Sequence, residues 1–387
     1  MSDFIPVNEP VLSEDSKKFV NQALDSGWIS SSGNFVKEFE EKFSSYIGMK
    51  YGIAVSSGTA ALHIALLSLG VGSGDEVIVP AFTMGATWLA VLYTGARPVF
   101  VDCELDNFNI DVKQVEKKIS KKTKVIIPVH VYGHAAEMDA IMKIAKRHKI
   151  DVLEDAAEAC GGEYRRKKCG SFGKINAFSF YANKIITTGE GGMVITNDEG
   201  LAIRARQFRD LHHSLKKRFV HDGVGFNYRM TNLQGALGCG ETLHIEEYLL
   251  KKQYMASVYK LLLKAIPGIT LPQTKSYVKN VYWMYGILVN EEKFGIGKDM
   301  LREEMLAEGV ETRDFFYSPN KQPILKKYLA KTETFPNTET IEENGFYIPS
   351  GLALTDVQMR RVANTIKKIY QKHEVERQNS PQVPKHQ

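Results

Sequence analysis

The stretch FSFYANKIITTGEGG, residues 178–192, places one lysine between a short aromatic run and a glycine-rich turn. Phe178 and Phe180 alternate with Ser179, and this period of two predicts the end of a buried strand. The glycines that follow predict a sharp turn, because glycine adopts positive φ without a steric penalty. Lys184 is thereby placed just beyond a strand end. Taken alone, it fits a solvated loop lysine, so its role depends on the rest of the chain.

Strand-like and helix-like segments alternate from about residue 50 onwards. The strand-like runs are GIAV, EVIVP, RPVFVD, KVIIPVH, DVLED, AFSF and MVITND. The helix-like runs between them are TAALHIALLSLG, ATWLAVLYTG, VKQVEKKISKK and EMDAIMKIAKRH. This alternation predicts an α/β fold with a mainly parallel sheet and helices on both faces. In such sheets ligands bind beyond the carboxyl ends of the strands, so the residues after each strand are the candidates for chemistry.

The pattern changes after about residue 245. A long polar helix is followed by a strand in YWMYGILV, a helix in KDMLREEMLAEG and a final helix in TDVQMRRVANTIKKIYQKH. These segments indicate a smaller α+β unit. We expect a large α/β domain with an N-terminal arm at residues 1–245, a small domain at 246–372, and a disordered polar tail at 373–387.

Composition narrows the functional class. The chain has 387 residues, of which 43% are hydrophobic and 25% charged, and these fractions are ordinary for a globular protein. The net charge of +5 is spread among interspersed acids and bases, so we expect no nucleic-acid partner. The apolar runs stop short of the roughly 20 residues that span a membrane, and the start lacks a secretory pattern. The four cysteines form no CxxC pair, and we expect a cytoplasmic protein with reduced thiols and no membrane partner.

Polar residues follow four predicted strands. After GIAV comes SSGTAAL, where backbone N–H groups at a helix start and the Thr59 hydroxyl would bind a phosphate dianion. An ordinary helix cap is the alternative there. Asp155 ends DVLED, and the alternative for it is likewise to cap a following helix. Ser179 and Lys184 come at and after the end of AFSF. Further donors for an anion lie in GFNYRMTNLQ, namely Asn227 and Arg229.

A phosphate cradle, an acid and an amine at successive strand ends match the requirements of pyridoxal phosphate (PLP). The amine forms a Schiff base with the cofactor aldehyde, and the carboxylate keeps the pyridine nitrogen protonated. An anion beside that nitrogen favours its charged form, which lets the ring accept an electron pair. Lysine suits this position better than arginine, because its amine loses a proton when desolvated. We therefore interpret Lys184 as the tethered amine.

Over roughly residues 5–370 the chain resembles the DegT/DnrJ/EryC1/StrS family of sugar-nucleotide aminotransferases. These enzymes have the aspartate aminotransferase fold, which is fold type I of PLP-dependent enzymes. The stretches that carry the resemblance are SSGTAALHIAL, GDEVIVPAFT, VHVYGHAAEMD, EDAAEACGG, FSFYANKIITTGEGGMVITND and GFNYRMTNLQGAL. Their order along the chain is more specific than any one of them alone.

The resemblance implies a role for each matching residue. Lys184 would be the Schiff-base lysine and general base, and Asp155 the partner of the pyridine nitrogen. Glu158 would lie beside the cofactor ring. The phosphate would be held by Gly58, Thr59, Ala60 and Ser179. Asn227 and Arg229 would reach the phosphate of the partner subunit's cofactor, which implies a homodimer with shared active sites, or a tetramer built from such dimers.

The substrate follows from further similarity. The segments NQALDSGWISSSGNFVKEFE, FVHDGVGFNYRMTN, VYWMYGIL and ETRDFFYSPNKQP resemble the perosamine-forming branch of the family. That branch transfers the amino group of glutamate to C4 of a GDP-linked 4-keto-6-deoxy sugar, through the pyridoxamine form of the cofactor. Arg313 and Asn320 would contact the sugar nucleotide. A UDP- or dTDP-linked keto sugar is the alternative acceptor.

Four positions depart from the pattern of these relatives. Met84 stands where many of them stack an aromatic ring on the cofactor, although a polarizable thioether also covers such a face. In ETRDFFYSPNKQP, Asp314, Ser318 and Asn320 stand where proline, proline and histidine are expected. Because this loop would contact the sugar, the departures bear on the substrate and not on the cofactor.

Other interpretations are weaker. GVGSGD precedes a strand and lacks the GxGxxG spacing, so a nicotinamide site is not expected. His212, His213 and His221 have no companion ligand at metal-binding spacing, and we expect a polar loop there and no metal. A pyridoxamine-dependent sugar dehydratase would carry histidine in place of Lys184. A non-catalytic binding protein would have no need of an intact cofactor site. We assign no catalytic role to the aromatic residues of YWMYGIL.

Overall fold

The computed structural model describes residues 4–217 and 219–379. The strands are β1 (Tyr51–Val55), β2 (Glu76–Pro80), β3 (Arg97–Val101), β4 (Thr123–Ile126), β5 (Asp151–Asp155), β6 (Glu163–Tyr164), β7 (Lys167–Lys168), β8 (Ile175–Ser179), β9 (Gly192–Thr196), β10 (Ile269–Thr270), β11 (Val278–Lys279), β12 (Tyr285–Val289), β13 (Arg313–Asp314) and β14 (Gly345–Ile348). The helices are α1 (Glu14–Asp25), α2 (Asn34–Ile47), α3 (Gly58–Ser68), α4 (Gly85–Tyr93), α5 (Val112–Val115), α6 (Met138–His148), α7 (Glu199–Arg209), α8 (Asn232–Thr242), α9 (Ile245–Leu263), α10 (Glu291–Phe294), α11 (Lys298–Ala307), α12 (Pro336–Asn344) and α13 (Asp356–Asn379). Among these helices, none is both long and apolar enough to cross a lipid bilayer.

A seven-stranded sheet organises the first part of the chain, in the order β1-β9-β8-β5-β4-β2-β3. All neighbours pair in parallel except β9, which is antiparallel to both β1 and β8. The strands are buried nearly throughout, because helices cover both faces and each strand has an apolar environment on both sides. The predicted α/β fold with a mainly parallel sheet is confirmed.

Helix α5 is shorter than its sequence pattern predicted. It ends after one turn, and a 3-10 turn over Glu116–Lys118 continues it. Only Val115 of this segment is buried, and the lysines that follow offer no second apolar anchor. A helix this short gains most of its stability from packing, so a single buried side chain does not extend it.

A second sheet, β10-β12-β14-β13, is wholly antiparallel and packs with α9, α11 and α13 around a separate core. The N-terminal arm, expected with the large domain, pairs with this unit instead. Ile5 is buried in its core and bridges Val310, with Ile5 N donating to Gly309 O at 2.8 Å. The arm therefore ties the start of the chain to the second sheet, while α1 and α2 pack on α8.

The final helix is longer than predicted. We expected a disordered tail from residue 373, but α13 continues to Asn379. His373 contacts Glu304 at 2.7 Å and Arg377 donates to Glu292 O at 3.1 Å, so these turns are anchored on the unit formed by the second sheet and its core, which is called the second domain below. Residues 380–387 of the expected tail lie outside the described residues.

Glu154, the residue before Asp155, anchors the carboxyl end of β5. It is wholly buried, and its carboxylate accepts from Gly170 N and Gly173 N at 2.7 Å, from Phe172 N, and from His130 Nε2 at 2.9 Å. Because His130 Nδ1 accepts from Ala136 N at 3.1 Å, the imidazole proton lies on Nε2. Since neighbouring residues of a strand face opposite sides, this network orients Asp155 toward the other face.

Glu154→Gln should destabilise the fold by about 3 kcal/mol, because an amide group would face N–H donors that a carboxylate satisfies. The measurement is urea unfolding of the full-length protein. Glu303→Gln, at an exposed glutamate, is the control and should change the unfolding free energy by less than about 0.5 kcal/mol. Equal midpoints for the two variants would contradict the structural role of Glu154.

Candidate active site

The turn between β1 and α3 forms a glycine-lined cradle. Ser57 caps α3 by accepting from Ala60 N at 3.1 Å. A Cβ on Gly58 would lie 2.7 Å from Ser179 Cβ, and one on Gly192 would lie 2.4 Å from Ser57 O. Three strand ends thus meet where only glycine fits. The first amides of α3 have no partner within the helix, so this cradle suits a phosphate group at its N-terminus.

Asp155 ends β5 inside the protein. Its Oδ2 accepts from Thr87 Oγ1 at 2.8 Å, and Thr87 Oγ1 lies 2.9 Å from Thr83 Oγ1. Burial raises the pKa of Asp155, while hydrogen bonds from Thr87 and Ala157 and the charge of Lys184 lower it. The alternative that Asp155 caps a helix is wrong, because turns at residues 157–158 and 160–161 follow it and the next helix begins only at Glu199. The Thr87 hydroxyl and the Ala157 N–H therefore orient its carboxylate at the end of the strand.

The charges of two buried carboxyl groups act on Lys184 at this edge. Burial lowers the pKa of Lys184, and the charges of Glu158 and Asp155 act in the opposite direction. Burial raises the pKa of Glu158, although Lys184 and the Tyr132 amide, which donates to Glu158 at 2.8 Å, both favour its charged form. The amine is therefore desolvated, which is the environment in which lysine acts as a base or nucleophile.

Trp283 is the site residue that sequence reasoning missed. Lys184 Nζ lies 3.4 Å from the centroid of its ring, and the indole N–H donates to Asn183 O at 2.7 Å. We assigned no catalytic role to the aromatic residues of YWMYGIL, and no spacing within that segment marks one of them as different. A sequence signal would have required the pairing of two segments 100 residues apart.

The rim of the site carries the remaining predicted cofactor residues. Met84 directly precedes α4 as its N-cap residue and is 56% exposed, three residues before Thr87. Ser179 ends β8, half-buried, and its Oγ accepts from Tyr181 N at 3.4 Å. Of the glycines in the turn, Gly189 alone has positive φ (77°), so Gly192 is needed for close approach and not for its dihedral angles. The side chains of Met84 and Ser179 are thus both accessible at the rim, where a ring or a phosphate could bind.

Asn227 and Arg229 lie on a segment that passes the cradle. Ser56 N donates to Tyr228 O at 2.9 Å, which places this segment beside the start of α3. Asn227 is exposed, and Arg229 forms an ion pair with Asp210 of its own chain. All of these contacts lie within one chain. A contact of Asn227 and Arg229 with the phosphate of a partner's cofactor therefore stays a prediction.

Arg313 and Asn320 occupy different surroundings. Arg313 is exposed on β13 and lies 3.6 Å from Glu311. Next to Asp314, the Phe315 ring is 5.2 Å from that of Tyr132, which brings this strand to the site. Asn320 is exposed, and its amide donates to Glu339 at 2.9 Å and to Glu333 O at 3.2 Å.

The other two departures in this loop are structural. Asp314 pairs with Arg302 and with Lys298, the latter at 3.4 Å. Ser318 is wholly buried and caps a 3-10 turn, and its N–H donates to Glu342 at 2.8 Å. Both side chains therefore hold the loop through contacts within the second domain.

Metal chemistry has no support at the histidine-rich loop. The rings of His213 and His221 lie 4.5 Å apart. Across residues 4–217 and 219–379, no group of three or more His, Cys, Asp or Glu side chains is arranged to hold a metal ion. The four cysteines are free and buried.

Known proteins are similar to this chain along nearly its whole length. The DegT/DnrJ/EryC1/StrS aminotransferase family matches residues 10–367. The chain is 39% identical over 367 residues to GDP-perosamine synthase of Escherichia coli O157:H7, covering 95% of this chain and 99% of that protein. It is also 39% identical over 372 residues to GDP-perosamine synthase of Caulobacter vibrioides, with 95% and 100% covered. The solved structure of DesV from S. venezuelae superposes with a TM-score of 0.86 at 33% identity, covering 92% of this chain and 94% of that chain.

Thr87→Val should slow the reaction of the PLP-loaded protein with glutamate by about tenfold. Loss of the donor raises the pKa of the Asp155 carboxyl further and leaves it less ionised. The rate is measured by stopped-flow absorbance in a single turnover. Thr87→Ser keeps the hydroxyl and is the matched control. If Val and Ser variants react equally fast, the hydrogen bond to Asp155 has no role in the chemistry.

Proposed function

Because the chain belongs to the DegT/DnrJ/EryC1/StrS aminotransferase family, we propose that it transfers the amino group of glutamate to C4 of GDP-4-keto-6-deoxymannose, giving GDP-perosamine. The reaction class is that of a PLP-dependent sugar-nucleotide aminotransferase. The observation that carries the proposal is the convergence of a desolvated Lys184, a buried Asp155 and a glycine-lined cradle at one sheet edge. The names of the relatives at 39% identity support the choice of sugar.

The residues present fit PLP. Gly58, Thr59 and Ala60 would hold its phosphate at the start of α3, together with Ser179, and Met84 would cover one face of its ring. When bound, PLP supplies an electron sink for moving an amino group between two carbonyl carbons.

The protein's own groups control the protons. Asp155 would hold a proton at the ring nitrogen, since a buried carboxylate favours a neighbouring cation. Lys184 would take a proton from the donor carbon and return one to the acceptor carbon, because its desolvated amine is basic without being permanently charged. Glu158, beside Lys184, would hold the amine within reach of both carbons.

Substrate contacts are proposed for the second domain. Arg313 is exposed beside β14, close to the aromatic rings that reach Tyr132, and would pair with an anionic group of the sugar nucleotide. Asn320 would contact the same substrate only by giving up its bonds to Glu339 and Glu333. A UDP- or dTDP-linked keto sugar is the alternative acceptor.

We propose a homodimer whose active sites are shared. Asn227 is exposed on a segment fixed beside the cradle, so its side chain is available to a second subunit. Arg229 would have to exchange its ion pair with Asp210 for a phosphate of the partner's cofactor. A dehydratase and a non-catalytic protein are both disfavoured by the presence of Lys184.

The acceptor can be identified directly. GDP-, UDP- and dTDP-linked 4-keto-6-deoxyhexoses are offered with glutamate, and the aminated product is identified by mass spectrometry and NMR. We expect amination of the GDP sugar and about equal amounts of 2-oxoglutarate. Lys184→Ala should be inactive while retaining the parent's circular dichroism, because the lost group is chemical. Amination of only a UDP or dTDP sugar would refute the proposed acceptor, and turnover by Lys184→Ala would refute the mechanism.

Shared sites predict complementation between two inactive proteins. A heterodimer of Lys184→Ala with an Asn227→Ala/Arg229→Ala variant would contain one doubly damaged site and one intact site. Activity should therefore return after subunit exchange, to about half of the parent value per heterodimer. If these residues serve their own subunit, every site keeps one lesion. No recovery after exchange verified by native mass spectrometry would exclude sharing.

A further inference from the structure

The Lys184 amine lies against the indole ring of Trp283. Nζ lies 3.4 Å from the ring centroid, and Trp283 is only 5% exposed. A cation within about 6 Å of an indole face is attracted by the ring quadrupole, and the attraction grows when both groups are desolvated. The contact is therefore close, and the ring side of it is shielded from solvent, while Lys184 as a whole residue is half-buried.

Trp283 is held from two sides. Its indole N–H donates to the carbonyl of Asn183, the residue before Lys184, at 2.7 Å. Its own carbonyl accepts from Lys252 Nζ at 2.9 Å. The ring is thus fixed to the same backbone turn that carries the amine, and a shift of Trp283 would shift the surface under Lys184.

Lys252 links the Trp283 carbonyl to a second backbone carbonyl. It is 2% exposed on α9, and its ammonium group also donates to the carbonyl of Ser350. Burial lowers the pKa of Lys252 to about 7. A buried amine is costly unless its donors are used, and here both acceptors are backbone carbonyls of the second domain. Lys252 therefore joins residues 283 and 350 behind the active site.

We propose that Trp283 is a positioning residue that holds the free amine of Lys184, and that Lys252 holds Trp283 in place. The proposal gives the second domain a direct part in the chemistry, because Trp283 precedes β12. The role given to Trp283 rests on the proposed function. The contact between Trp283 and Lys184 needs no substrate, however, and it can be tested without one.

Besides the neutral indole, several titratable groups surround the Lys184 amine. Asp155 and Glu158 approach from the end of β5, and Tyr132 lies beside Glu158. Glu9, Glu241 and Lys252 line a small cavity together with Lys184 itself. Burial lowers the pKa of Lys184 and the two carboxylates raise it. The indole face also stabilises the ammonium form, so removal of the ring should lower the pKa further.

The test measures the amine itself. Full-length protein freed of cofactor is labelled with a trace of acetic anhydride across the alkaline pH range, and acetylation of Lys184 is quantified by peptide mass spectrometry. Trp283→Leu should lower the pKa of Lys184 by about one unit, which is a tenfold change in the ratio of amine to ammonium. Trp283→Phe keeps an aromatic face and should lower the pKa of Lys184 by less than half as much. Trp28→Leu, at a tryptophan that is 61% exposed, should leave the pKa unchanged.

Two results would overturn the proposal. One is a Trp283→Leu variant that is folded by circular dichroism and has the parent pKa at Lys184. The other is a fall for Trp283→Phe as large as that for Trp283→Leu. If Trp283→Leu does not fold, Lys252→Met decides, because it keeps the ring but frees its carbonyl: a lowered pKa supports the proposal and an unchanged one overturns it. Labelling needs neither glutamate nor sugar, so failure to aminate a GDP sugar would leave this result intact.

Discussion

Burial of one amine between two carboxyl groups is the constraint on which this structure depends. Lys184, Asp155 and Glu158 lie at the carboxyl edge of one sheet, where the amine lowers the electrostatic cost of each carboxylate and the two carboxylates favour its ammonium form, although they repel each other. Desolvation makes the amine reactive, but it also makes any buried charge without an opposite partner energetically unfavourable. Thr87 and the Tyr132 amide supply the hydrogen bonds that keep the carboxyl groups in place.

Close backbone approach is the second constraint, and it shapes the phosphate side of the site. β1, β8 and β9 converge so tightly at Gly58 and Gly192 that a single added carbon would collide with a neighbour. Antiparallel β9 lies between β1 and β8, and this insertion brings the turn after Lys184 against the start of α3. The amine and the cradle are thus positioned by one strand.

The second domain completes the site through contacts that do not follow strand ends. Trp283 reaches Lys184 from the segment before β12, and Phe315 reaches the ring of Tyr132 from the segment after β13. Lys252 links Trp283 to Ser350 across this unit. A change in how the second domain packs on the sheet would therefore be felt at the amine.

The sequence by itself determined the main strands, the α/β class and the position of Lys184, Asp155 and the cradle. This was possible because buried parallel strands are continuous apolar runs, and the residue after each run lies at the ligand-binding edge. Only the tertiary structure decided that no helix follows Asp155, that Ile5 joins the second sheet, and that α13 continues to Asn379. It also decided that Trp283, and no other aromatic residue of its segment, lies under the amine. The physical reason is that these outcomes depend on contacts between segments far apart in the chain, and periodicity reports only which face of an element is buried, not what covers it.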